Sequence, residues 1–159
     1  MDLPSSSAGS LDVAAVGARV VQSAGPQTTE AVGEQLAAEL DGGQVVFIAG
    51  GLGAGKTTLV RGIARGLGVT GAVTSPTFTL AQRYRGGRAD LAHLDLYRLG
   101  EGVGEEPGLL DDYLDSRTVV AVEWPDLPAA AILGVVPDLV VRVEDRGGER
   151  RQLVVERRR

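Results

Sequence analysis

The residues Gly50-Gly51-Leu52-Gly53-Ala54-Gly55-Lys56-Thr57 carry the clearest chemistry in this chain. They fit G-x-x-x-x-G-K-[ST] at every fixed position, the pattern of a phosphate-binding loop. Its glycines let backbone N–H groups turn toward a phosphate, and the helix that follows adds partial positive charge at its N-terminus. Lys56 is the sole lysine; every other basic residue is arginine. A compact ammonium on a flexible stem suits the gap between β- and γ-phosphate oxygens, where a planar guanidinium fits badly. In this reading Thr57 offers a hydroxyl to Mg²⁺ and Thr58 a contact to the α-phosphate. The dinucleotide pattern G-x-G-x-x-G fails, because after Gly51 and Gly53 its third position is Lys56. The plain alternative is a Gly-rich helix start with an exposed lysine.

Phosphoryl chemistry also needs a carboxylate near the metal. Glu123 closes the run VVAVE, an apolar strand ending in an acid, and Asp95 lies in His93-Leu94-Asp95. A spacing of two puts His93, the sole histidine, on the same strand face as Asp95. Either acid could hold Mg²⁺, directly or through water, or orient an attacking water; a solvated strand-end carboxylate is the ordinary alternative. His93 is equally readable as a hydrogen-bonded structural residue. Ser75-Pro76-Thr77-Phe78-Thr79 falls where hydroxyls could sense a γ-phosphate or a metal, or simply makes a proline turn. Trp124, the single tryptophan, follows Glu123 and reads as an edge-packing residue or a site residue. Arg157-Arg158-Arg159 reads as a frayed tail, with RNA phosphate as the other option. Guanine-reading by Asn-Lys-x-Asp is impossible, since the chain has no asparagine and its one lysine is already used. ATP is therefore favoured over GTP.

Strands and a helix must hold these residues. Gln44–Ala49 is almost wholly apolar, as buried parallel strands are. The loop follows at once, then a helix over Lys56–Leu67 that Gly68 stops. An earlier helix is expected from a Thr28 or Thr29 cap to about Leu40, ended by Asp41-Gly42-Gly43. Strands are expected at Arg19–Ser23, Ala89–Tyr97 and Thr118–Glu123, with a hairpin of Leu139–Glu144 and Gln152–Glu156 around Asp145–Gly148. Arg83–Arg88 forms a polar hairpin, residues 100–108 a mobile Gly- and Glu-rich stretch, and Leu109–Leu114 one or two helical turns. The fold class is α/β: a P-loop NTPase-like central mixed sheet flanked by helices, parallel around the loop and antiparallel at its margins.

The totals bound the rest. The 159 residues, 43% hydrophobic, suit one packed domain over residues 17–156 behind a flexible tail over 1–16. No cysteine is present, which removes disulfides, thiolate metal sites and a cysteine nucleophile. A net charge of −5 argues against broad nucleic-acid coating. No apolar run approaches the ~20 residues of a membrane span, and no basic leader precedes an apolar core. A cytoplasmic protein without membrane association is the simplest expectation.

Four segments together, LGAGKTTLVRGIARGLG (52–68), SPTFTL (75–80), HLDLYRL (93–99) and VEWP (122–125), resemble the bacterial tRNA threonylcarbamoyladenosine biosynthesis ATPases of the TsaE (YjeE) family. The resemblance runs from about Thr28 to Pro125. It implies ATP binding and slow, partner-stimulated hydrolysis, accessory to TsaB and TsaD in forming N6-threonylcarbamoyladenosine, with tRNA met through that complex. It also implies Mg²⁺ on Thr57 and Glu123, and catalytic roles for Lys56, Asp95 and Glu123. Gly53, Ala54, Gly55, Lys56, Thr57 and Thr58 would hold the nucleotide phosphates. Trp124 would lie near the nucleotide, and residues around Thr28 would meet adenine. Gly51 departs from the acid usual in that family. Two other classes remain: a small-molecule kinase with an Arg83–Arg88 lid, and a nucleotide-binding scaffold without turnover.

Overall fold

In the computed structural model, residues 18–51, 53–74, 81–96, 111–124 and 135–158 are described, Trp124 by its backbone alone. The sequence expectations for residues 1–16, Ser75–Leu80 and 100–108 lie outside these. The described strands are β1 (Ala18–Ser23), β2 (Val45–Ala49), β3 (Ala81–Tyr84), β4 (Asp90–Asp95), β5 (Thr118–Trp124), β6 (Leu139–Asp145) and β7 (Arg151–Arg157). The helices are α1 (Pro26–Ala37) and α2 (Lys56–Leu67), with a 3-10 turn at Asp111–Tyr113.

The strands form one sheet in the order β1-β7-β6-β2-β5-β4-β3. Pairing is parallel where β2 meets β5 and β6 and where β4 meets β5. It is antiparallel at the margins, β1 with β7, β6 with β7 and β3 with β4. All five residues of β2 are buried, as its apolar run requires for a strand covered on both faces. Asp138 fixes the entry to this strand: its carboxylate accepts from the Val45 N–H at 2.8 Å, and its own N–H donates to the Val45 carbonyl at 2.8 Å.

The period of two along the strands sorts side chains into two apolar layers. Val46, Ile48, Leu91, Val119, Ala121 and Val141 face α1 and α2. Val45, Phe47, Ala92, Leu94, Val120 and Val122 face the opposite side, where Tyr113 and Val135 pack against them. Both long helices therefore cover the same face. They approach closely because glycines line their contact: a Cβ on Gly62 would lie 2.0 Å from the Glu30 carbonyl oxygen, and one on Gly33 would lie 2.5 Å from that of Leu59.

Several local expectations need correction. α1 begins at Pro26 behind Gly25, without a side-chain cap, and ends at Ala37 rather than near Leu40. Proline at the first helical position has no N–H to satisfy and arrives with a helical φ, so a hydroxyl cap at Thr28 or Thr29 is unnecessary. Thr29 is instead buried against the Ser23 hydroxyl at 2.7 Å. Arg157 is not part of a frayed tail. It pairs with Leu139 in the sheet and donates to Glu39 at 2.8 Å, while the Arg158 N–H reaches the Asp138 carbonyl. Leu109 lies outside the described residues, and the helical turn expected there is seen only as Asp111–Tyr113.

Candidate nucleotide site

The loop after β2 is shaped by backbone conformations that side chains disfavour. Gly50, Gly53 and Gly55 have φ of 153°, 75° and 105°, a region costly for residues with a Cβ. At Gly50 a Cβ would also strike the Val143 carbonyl oxygen at 2.6 Å. Around Gly51 and Gly53 the space is open, with nothing within 4 Å of a built Cβ. Gly55 is the N-cap of α2, which carries no side-chain cap and no acid in its first turn. The first N–H groups of the helix thus keep their capacity for an anion.

Lys56 and Thr57 open this helix. The Lys56 ammonium folds back across the loop and donates to the Gly50 and Gly51 carbonyls, both at 2.9 Å. Thr57 faces the end of β5, where its hydroxyl lies 3.1 Å from Glu123 Oε2 and 3.5 Å from Oε1. Thr58 is half-buried one position on, and Ala54 is buried within the loop.

Glu123 is only 4% exposed, so it is not a solvated strand-end acid. Its second partner is His93 on β4, which hydrogen-bonds Oε2 through Nε2 and is itself fully buried. With Nε2 donating, ring Nδ1 is an acceptor, and it has no hydrogen-bond partner among the described residues. Asp95 is the last residue of β4 and lies directly beside Glu123 in the parallel register. Neighbouring strands run about 4.8 Å apart, so the two acids sit side by side on the face that α2 covers.

The oxygen-rich set of Thr57, Glu123 and Asp95 suits a hard divalent cation, which would also offset the mutual repulsion of two adjacent carboxylates. Among the described residues, no group of three or more histidine or acidic side chains forms a ready-made metal cage. The fit is to an open Mg²⁺ site, in which one or two protein oxygens share the ion with phosphate and water.

Thr28 is exposed in the first turn of α1 and lines an open depression of about 560 Å³ with Gly25, Pro26, Gln27 and Glu149. Trp124 pairs with Ala49 through its backbone, adjacent to the loop. One neighbour of the loop went unseen in the sequence. Arg151, at the start of β7, donates from Nε to the Ala54 carbonyl at 2.8 Å and from Nη2 to that of Gly53 at 3.3 Å. Nothing in local spacing marks it, because the contact joins residues 97 positions apart.

The family model described as threonylcarbamoyl adenosine biosynthesis protein TsaE matches residues 23–153. The chain belongs to the TsaE family. It is similar to a Streptomyces coelicolor protein named tRNA threonylcarbamoyladenosine biosynthesis protein TsaE, 48% identical over 58% of this chain and 64% of that one. The Synechocystis TsaE is 45% identical over 62% of this chain and 64% of its own length, and the Bacillus subtilis TsaE 44% over 64% and 63%. The chain thus spans slightly less than two thirds of the length of these relatives. The crystal structure of Bacillus subtilis YdiB superposes with a TM-score of 0.69 at 31% identity, over 88% of this chain and 85% of that one. In the TsaE family chain described here, no helix among the described residues is long and apolar enough to cross a membrane.

Proposed function

We propose that this TsaE family chain binds Mg-ATP, hydrolyses it slowly, and serves tRNA threonylcarbamoyladenosine formation alongside homologues of TsaB and TsaD. The observation that carries this reading is the convergence of Thr57 and Glu123, 3.1 Å apart, at the mouth of a glycine loop whose helix end is uncapped. The names of the relatives support the pathway, and tRNA would be met through the complex, in the cytoplasm.

In this reading the backbone of Gly53–Gly55 cradles phosphate, and Lys56 exchanges the Gly50 and Gly51 carbonyls for β- and γ-phosphate oxygens. Thr58 lies beside the α-phosphate, and Thr28 and Trp124 serve the base. Thr57 and Glu123 would hold Mg²⁺, with Asp95 next to them. When bound, the ion would neutralise charge developing on the transferred phosphoryl group. Glu123 enters this role already oriented, because His93 and Thr57 both hold its Oε2. Asp95, beside Glu123 in the sheet register, would act next to the ion, directly or through water.

The kinase alternative is less well supported. Arg83 is bound to the Asp112 carbonyl and Arg88 to the carbonyls of Ala37 and Leu40. These arginines brace the fold and do not resemble a lid poised over an acceptor.

The test is ATP binding and hydrolysis with and without purified TsaB and TsaD homologues. Binding that depends on Mg²⁺, with turnover raised by the partners, is expected; Lys56→Ala should abolish both. Unchanged affinity and hydrolysis in that variant would sink the site assignment, and ADP release that needs a small-molecule acceptor would favour a kinase.

A further inference from the structure

A loop that turns its N–H groups inward toward a phosphate must turn some carbonyls outward, and those carbonyls need donors. Arg151 supplies them. Its Nε–H meets the Ala54 carbonyl at 2.8 Å and its Nη2 meets that of Gly53 at 3.3 Å. The other arm of the guanidinium is tied to its own hairpin: Nη1 donates to the carbonyls of Gly148 and Arg150, both at 2.8 Å, and lies 3.4 Å from Asp145. The side chain is only 16% exposed. It is therefore a fixed strut between two turns: the β6–β7 turn on one side and the phosphate loop on the other.

The strut acts beside a turn that the Ala54 N–H closes on the Gly51 carbonyl at 3.1 Å. Nothing crowds Gly53 on its Cβ side, and its φ of 75° is one that glycine adopts as readily as others. Left alone, glycines there would sample many conformations, each to be lost again on ligand binding. Arg151 also sits 3.8 Å from the built Cβ position of Gly55, the N-cap of α2. Its positive charge thus lies on the side to which the Gly53 and Ala54 carbonyls point.

We propose that Arg151 is a positioning residue for the phosphate loop: it holds the outward carbonyls of Gly53 and Ala54 so that the loop's N–H groups are set for an anion before one arrives. The proposal rests on the nucleotide-binding reading for its effect on affinity, but not for its effect on the loop.

The test compares the whole chain with Arg151→Met, which keeps the aliphatic stem and removes all five donors, and with Arg151→Lys, which keeps the charge without the fork. Backbone amide order parameters at residues 53–56 are measured without nucleotide, and Mg-ATP affinity by calorimetry. In Arg151→Met the order parameters should fall and affinity should weaken by about tenfold, the scale set by losing charge-assisted hydrogen bonds. Arg151→Lys should recover part of the affinity at most. Order parameters that match the unaltered chain, or affinity within about twofold of it, would overturn the proposal, even if the melting temperature had dropped. If the unaltered chain binds no Mg-ATP, the nucleotide reading fails and the order parameters alone decide the role of Arg151. If Arg151→Met does not fold, the same two measurements on Arg151→Lys decide it.

Discussion

Glu123 gathers the site at the scale of single residues. A buried carboxylate is costly unless it is hydrogen-bonded, and here Thr57 and His93 both meet Oε2 of Glu123. His93→Ala should therefore do more than remove a ring: it would leave Glu123 buried with one partner fewer. The expected loss is about 3 kcal/mol of stability, the scale for stranding a buried charged group. Urea denaturation checks this, and a loss no larger than that of an average surface substitution would show that Glu123 does not depend on the imidazole. Because ring Nδ1 is already an orphan acceptor among the described residues, His93→Gln should recover part of the loss through its amide donor. The acid-terminated strand and the His93–Asp95 spacing were both readable from sequence. Their mutual contact was not, since it depends on which strand lies beside β5.

Helix α2 was legible almost to the residue, because a glycine loop opens it and Gly68, in the left-handed region, closes it. Helix α1 was less so. Thr28 and Thr29 read as hydroxyl caps, whereas Pro26 starts the helix without any. The packing between the two helices had no sequence signature at all, since Gly33 and Gly62 act only through each other's backbones. In an isolated helix Gly62→Ala would gain about 1 kcal/mol of propensity. Here the new methyl would meet the Glu30 carbonyl oxygen at 2.0 Å, and backbone cannot rotate away as a flexible side chain can. The expected outcome is net destabilisation of about 1–3 kcal/mol, as for overpacked cores, read as a lowered melting temperature. A raised melting temperature would mean that the helices can part at little cost. Because α2 carries Lys56 and Thr57 at its start, the same variant should also bind Mg-ATP less tightly.

Across the whole molecule, β2 and β5 are visible as apolar runs, β4 as an alternating strand, and β6 with β7 as a hairpin around a polar turn. The order of strands was not visible, because apolar runs state that a strand is buried and not which strand lies next to it. That order has a consequence for how the protein comes into being. The neighbours of β2 are β5 and β6, and the described neighbour of β1 is β7. All three partners are made late, from Thr118 onward. On a ribosome adding roughly 5–20 residues per second, β1 and β2 emerge and then wait for strands not yet synthesised. Such long-range closures slow folding. A chain ending at Pro137, lacking β6 and β7, should unfold without a sigmoidal transition in urea; a cooperative transition in that fragment would contradict this order of assembly. The glycine loop is thus among the early parts to be translated, while two of its neighbours, Val143 on β6 and Arg151 on β7, come at the end of synthesis.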